Sequence, residues 1–187
     1  LQNSAAVGNS ASFFFNPETN TSIPAGFVGA CTIDTTGYNT VAFVQMRFVG
    51  TGNAAAYEAI SAAGTKTKVI VPLYMKRLGN NYATAVTIQN LGSQAASVNI
   101  SYTRGDGAPA NCNVDLNGLS IPVGGSLIQN HRLLSGLNAV PSLPETCFGS
   151  MVVTSTNGQP IEAMAQITVI GATSGDTFMA HNAFTAE

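Results

Sequence analysis

Residues 22–50 have the sequence SIPAGFVGACTIDTTGYNTVAFVQMRFVG, and residues 142–171 have the sequence SLPETCFGSMVVTSTNGQPIEAMAQITVIG. An offset of about 120 residues aligns the two stretches end to end, with Asn157 as a single insertion and Gln45 placed on Gln166. That offset is far longer than a solenoid repeat and is close to the size of one small β domain. The chain therefore contains an internal repeat of domain size.

The repeat is incomplete in its first copy. It continues from the quoted stretches into residues 56–62 (AYEAISA), which match residues 181–186 (HNAFTA). Residues 69–115 have no counterpart earlier in the chain. We therefore predict the second half of one domain over residues 1–63, followed by one complete domain over residues 64–187.

The composition excludes several classes of protein. Of the 187 residues, 45% are hydrophobic and only 9% are charged, the reverse of a disordered chain. The seven Lys and Arg residues are scattered and the net charge is -2, so no basic patch for nucleic acid is expected. No apolar run approaches the roughly 18 residues of a membrane-spanning helix. The abundant Ser, Thr, Asn and Gln side chains are common on secreted β proteins, and we expect an extracellular or cell-surface location.

The apolar residues alternate with a period of two, as in half-buried strands. Both copies have the same phase, which indicates a common buried face because a slip of one residue would turn every side chain over. The residues on that face are Ala163, Ala165, Ile167 and Val169 in the second copy, and Ala42, Val44, Met46 and Phe48 in the first.

Further runs of this kind, separated by Asn-Gly and Asp-Gly turns, predict an antiparallel β-sandwich with helix confined to single turns. Asn117-Gly118 is one such turn, and Asn157-Gly158 is predicted to close a β-hairpin. The predicted strands of the second copy are Lys68–Met75, Tyr82–Asn90, 95–103, 112–116, Ser126–Asn130, 147–154, the run around Ala165, and 177–184.

The opening of the complete copy resembles immunoglobulin-like tandem repeats of bacterial secreted and surface proteins. The resemblance rests on Pro72, on Gly79-Asn80-Asn81, on the TIQNLG phrase at 87–92, and on the alternation of Val98, Ile100 and Tyr102. It covers about 35 residues, and the Trp of antibody domains is absent. It implies a modular extracellular sandwich and no particular activity.

Two of the three cysteines, Cys112 and Cys147, lie within the complete copy and are candidates for a disulfide in an exported chain. Cys31 aligns with Met151, so the repeat does not preserve a cysteine there. It is either a buried free thiol or the partner of a cysteine in the missing half domain or in a neighbouring chain.

No motif for catalysis, metal binding or cofactor binding is present. The two histidines, His131 and His181, have no counterpart in the first copy, and we expect exposed or hydrogen-bonded side chains with no chemical role. No carboxylates occur in calcium-loop or zinc-helix patterns. We expect neither an enzyme nor a bound cofactor. Two sequons, at Asn20 and Asn99, are candidate glycosylation sites.

Half a sandwich leaves an apolar face and an unpaired edge that need a cover. We expect this assembly face to comprise Phe13, Phe14, Phe15, Ala42, Val44, Met46 and Phe48. The cover is an adjoining repeat of the same polypeptide, a part of the chain not seen, or a copy of the protein that completes the sandwich in trans.

These features favour a structural unit of an extracellular filament, sheath or surface layer, joined head to tail. The alternative is a non-catalytic binding module of a larger secreted protein. It would bind polysaccharide or mediate adhesion through Tyr74, Tyr82 and Tyr102.

Overall fold

A computed structural model describes residues 6–8, 11–27, 29, 31–35, 37–48, 52–61, 64–175 and 177–186. The strands are β1 (Phe43–Arg47), β2 (Ala54–Glu58), β3 (Lys68–Met75), β4 (Tyr82–Asn90), β5 (Ala96–Arg104), β6 (Val114–Ile121), β7 (Ser126–Asn130), β8 (Phe148–Ser155), β9 (Ile161–Val169), β10 (Phe178–Asn182) and β11 (Phe184–Ala186). Two single 3-10 turns, Pro17–Thr19 and Ala110–Cys112, are the helical segments of the described chain.

The strands form three antiparallel sheets. One has five strands in the order β11-β3-β8-β5-β6, one has four in the order β10-β9-β4-β7, and β1 with β2 forms a separate hairpin. The five- and four-stranded sheets enclose a single hydrophobic core whose buried members all lie between Val69 and Ala165. The predicted all-β fold with antiparallel sheets is confirmed, and the core belongs entirely to the second copy.

The core is built from the alternation that the sequence displays. Ile100 and Val153 of the five-stranded sheet are fully buried, as are Val86 and Ala165 of the four-stranded sheet. Pro72 lies where the pairing of β3 with β8 shifts register, between Val71 and Tyr74. A bulge there is expected because proline has no N–H to donate to a ladder.

Two predicted turns have other roles. Asn157-Gly158 does not close a hairpin, because β8 and β9 belong to different sheets and the connection crosses between them. The Asn157 side chain instead accepts a hydrogen bond from Ser97 N (3.0 Å) and donates one to Ala95 O (2.8 Å). Asn117-Gly118 lies inside β6, where the pairing with β5 shifts register. Gly118 has φ of 69°, and its N–H donates to Asn99 Oδ1, so this pair forms a bulge.

Candidate assembly surface

The β1–β2 hairpin repeats the β9–β10 hairpin pair by pair. Phe43 is opposite Glu58 in the first hairpin, and Met164 is opposite Asn182 in the second. The other four pairs correspond in the same way, with offsets of 121 residues for β1 and 124 for β2. The copies therefore share strand register as well as sequence in this region.

The phase of burial is also shared, but its depth is not. Ala163, Ala165 and Ile167 are at most 6% exposed. Their counterparts Ala42, Val44 and Met46 are only half-buried, whereas the alternate residues of β1 are exposed. Phe48 was expected to be buried and is 44% exposed. The difference arises because the five-stranded sheet covers β9, and no such sheet covers β1 in the described chain.

What covers the first hairpin in part is the outward face of β9 and β10. This face carries Met164, Gln166, Thr168, Phe178, Ala180 and Asn182, since opposite residues of the pair point to the same side and the alternate residues of β9 point into the core. Met46 Sδ lies 3.1 Å from Gln166 Nε2, and the Phe48 ring stacks edge-on against Phe178 at 4.9 Å between centroids. Phe178 is consequently 4% exposed although it points away from the core.

The hairpin folds over this face and does not extend the sheet. If it extended the sheet, the backbones of Met46 and Gln166 would be three strand spacings apart, about 14 Å, which their side chains cannot span. The two hairpins run in the same direction: Asn53 bonds with Thr177, and Asn182 Nδ2 donates to Glu58 O at 2.8 Å. Both contacts join residues 124 apart, so β2 runs parallel to β10 at equivalent positions.

Much of the described remainder of the first copy is exposed. Phe13, Phe14 and Phe15 are 56%, 79% and 36% exposed, and the described residues among 11–41 form no strand. The segment equivalent to β8 lies there, and in the complete copy β8 is flanked by β3 and β5. Without such neighbours a strand has no hydrogen-bond ladder to join, which explains the irregular backbone.

The complete sandwich contains a buried polar network that the sequence did not reveal. His131 is fully buried, with Nδ1 3.1 Å from Thr84 O and Nε2 3.0 Å from the Tyr102 hydroxyl. Because a carbonyl only accepts, Nδ1 carries the proton and Tyr102 donates to Nε2. Burial lowers the pKa of His131 to about 4 and raises the pKa of Tyr102. The network joins the two sheets and holds His131 neutral.

Two further buried polar residues form hydrogen bonds with the backbone of the segments that connect the strands. Lys76 is 2% exposed, its ammonium donates to Val140 O, and burial lowers its pKa. Asn90, fully buried, donates from Nδ2 to Gln94 O and Ile121 O and accepts from Gly92 N. The TIQNLG phrase thus contains a structural asparagine, a role that a turn signal alone does not distinguish.

The cysteines and sequons have the following places. Cys112 and Cys147 form a buried disulfide, the pair that their spacing suggested. Cys31 is exposed with a free thiol, so it is not the buried thiol of the first alternative. Asn20 lies in a loop and accepts from Ser22 N. Asn99 lies within β5 and its Oδ1 holds the bulge at Gly118, which leaves it poorly placed for glycosylation.

The tyrosines expected to form a saccharide platform do not form one. Tyr74 is fully buried and Tyr102 is 2% exposed, with their rings packed edge-on at 4.9 Å, while Tyr82 is half-buried. Both rings point inward because period-two alternation places them on the core face.

His181 is half-buried, with Nδ1 3.1 Å from Asn182 O. Among the described residues no group of three His, Cys, Asp or Glu side chains is arranged to hold a metal ion. In the same part of the chain no helix is long and apolar enough to cross a membrane.

The comparisons with known proteins include a structural neighbour of low similarity. No protein-family model and no curated protein sequence matches the chain. The crystal structure of Thermotoga maritima 1070 aligns with 66% of this chain and 97% of its own length, at 16% identity and a TM-score of 0.42.

Proposed function

We propose that this protein is a structural repeat unit of an extracellular filament, sheath or surface layer. In this proposal the complete unit is an immunoglobulin-like sandwich, and the first copy is the second half of another. Copies or adjoining repeats join head to tail by completing that half. The observation that carries the proposal is the first hairpin, which repeats the register of β9–β10 but lacks the sheet that covers β9.

The exposed apolar surface supports the proposal. Phe14, Tyr38, Val41 and Phe43 are each at least 68% exposed, and all belong to the first copy. Burial of these side chains against a partner surface would be favourable. A head-to-tail contact is heterologous, and such contacts produce fibres unless they close into rings. The buried disulfide is compatible with an exported protein.

Completion requires a rearrangement. The face that contains Val44 and Met46 corresponds to the core face of the complete copy, and at present it rests on Gln166 and Phe178. One face cannot pack against both the outward face of β9–β10 and a completing sheet. The hairpin therefore leaves the outward face when its sandwich is completed.

A matched pair of substitutions tests the proposal. Val44→Asp introduces a charge on the half-buried face of β1, whereas Gln45→Asp introduces the same charge on the exposed face. We expect purified protein to form ordered assemblies in electron micrographs, Val44→Asp to abolish them and Gln45→Asp to retain them. Neither change should lower the melting temperature of the sandwich, whose core contains no residue before Val69. Dispersed wild-type monomers under all conditions would exclude the assembly function.

The alternative of a binding module through Tyr74, Tyr82 and Tyr102 loses its basis, because two of these rings are inside the core.

A further inference from the structure

A cleft of about 540 Å³ lies between the first hairpin and the complete sandwich. Phe48 lines one side, Arg77, Asn130 and Arg132 the other, and Thr168 and Phe178 lie between. We call this the joint cleft. Two of the chain's seven cations, Arg77 and Arg132, line it, and Arg77 is paired with Glu145.

The guanidinium of Arg132 is oriented and has no carboxylate partner. Asn130 Oδ1 accepts from Arg132 N (3.2 Å) and Nε (3.1 Å), and Arg77 Nη1 donates to Arg132 O (2.9 Å). The ion pairs of the described chain are Arg47 with Glu18 and Arg77 with Glu145, and neither includes Arg132. Partial burial lowers the pKa of Arg132, as expected for a cation without a counter-charge.

Hydrogen-bond donors at the cleft are also available. The Nη groups of Arg132 and Nδ2 of Asn130 make no hydrogen bond to any described residue. These donors are therefore free to bind a ligand that carries hydrogen-bond acceptors.

From these groups we infer that the joint cleft binds an acidic saccharide, a uronic acid unit of a polysaccharide. The Arg132 guanidinium matches a carboxylate with two parallel hydrogen bonds. The Nδ2 group of Asn130 offers a donor for a sugar hydroxyl. The Phe48 ring, 44% exposed at the cleft wall, offers apolar area for a pyranose face. The site is distinct from the tyrosine platform, and it requires the hairpin in its docked position because Phe48 supplies one wall.

Calorimetry with trigalacturonate at low ionic strength tests this inference. The matched ligand is the methyl ester of the same trisaccharide, which keeps the hydroxyls and loses the charge. We expect the acid to bind and the ester to bind at least about tenfold more weakly. Raising the salt to about 0.15 M should weaken binding of the acid, because part of the attraction is ionic.

The protein control is a second arginine. Arg132→Gln should weaken binding of the acid by at least about tenfold. Arg104→Gln, on β5 of the other sheet, should leave binding within about twofold of the wild type. If Arg132→Gln does not fold by circular dichroism, Phe48→Ala provides the same test, with weaker binding expected.

Several results would overturn the inference. They are no heat of binding with the acid, equal binding of acid and ester, and unchanged binding in a folded Arg132 variant or in the Phe48 variant. Equally tight binding of triglutamate would show that the cleft recognises acidic protein segments and not saccharides. All measurements use dispersed protein, so a failure to form filaments does not affect the result.

Discussion

His131 shows how a single buried residue makes the sandwich sensitive to acid. Its imidazole is held neutral between Thr84 O and the Tyr102 hydroxyl, and its pKa is lowered to about 4. The unfolded chain binds a proton at His131 below about pH 6.5, whereas the native state does not do so until about pH 4. Native stability from this residue is therefore complete above pH 6.5 and is lost as the pH falls towards 4.

We predict that the wild type loses about 3 kcal/mol of unfolding free energy through His131 between pH 7 and pH 4. Urea titrations of the wild type and of His131→Gln isolate this contribution, since the titrating carboxylates are common to both. The variant should be less stable at pH 7 by about 1–3 kcal/mol, because partners of the imidazole lose hydrogen bonds. It should also show a smaller loss on acidification, and parallel pH profiles for the two proteins would refute the assignment.

Gly149 is a position where the neighbouring strand leaves no room for a side chain. A Cβ atom built at this position would lie 2.0 Å from Thr103 O, on the neighbouring strand β5. Gly79 offers a control, because a Cβ there meets nothing within 4 Å and its φ is not in the left-handed region.

We predict that Gly149→Ala lowers the unfolding free energy by several kcal/mol, since backbone of a central strand must move. Gly79→Ala should change it by less than about 1 kcal/mol. Thermal melts of the two variants compare them directly, and equal melting temperatures would show that the close approach of β8 to β5 is absent.

At the scale of the elements, the local sequence pattern predicted where strands lie but did not predict which sheet each strand joins. Lys68–Met75, Tyr82–Asn90 and Ser126–Asn130 have the predicted bounds because alternation and turn residues define them. The hairpin predicted at Asn157-Gly158 was wrong because the same turn chemistry serves a hairpin and a crossover between sheets.

Side-chain environment was less predictable than strand position. Tyr102 shares the apolar phase of Val98 and Ile100, which already indicated the core face, so its expected exposure conflicted with the alternation. The burial of Lys76 and His131 depends on the carbonyls of Val140 and Thr84, which are distant in sequence. The same limit applies to the joint cleft, whose walls come from both copies.

The docked hairpin leads to a prediction at this scale. Asn53 and Thr177 hold β2 beside β10, with Asn53 Nδ2 3.2 Å from Thr177 Oγ1. Cysteines at both positions, in a Cys31→Ser background, should form a disulfide that fixes the hairpin on the outward face. We predict that the oxidised protein does not assemble and that reduction restores assembly, as followed by light scattering. The single variant Asn53→Cys should assemble in both redox states, and assembly of the locked protein at the wild-type rate would contradict the rearrangement.

At the scale of the whole molecule, the chain combines a sandwich with a separate hairpin that packs on the sandwich's outward face. The sandwich has its own core, its own disulfide and a buried network that joins its sheets. The hairpin has the register of β9–β10 without the five-stranded sheet. Its half-buried face is covered in part by the outward face of β9–β10. This cover buries less apolar surface than the full burial of β9, and under the proposed function that difference would favour completion.

The central claim is that the first copy is an unfinished sandwich, and hydrogen exchange measured by mass spectrometry tests it most directly. The measurement compares peptides from 42–48 and from 163–169 in dispersed and in assembled protein. In the dispersed state, amides of the first peptide should exchange faster than those of the second, because β1 has one strand neighbour and β9 has two. In the assembled state the first peptide should become as protected as the second. Equal protection of the two peptides in the dispersed protein, or no gain by the first peptide on assembly, would contradict the claim that the first copy is an unfinished sandwich.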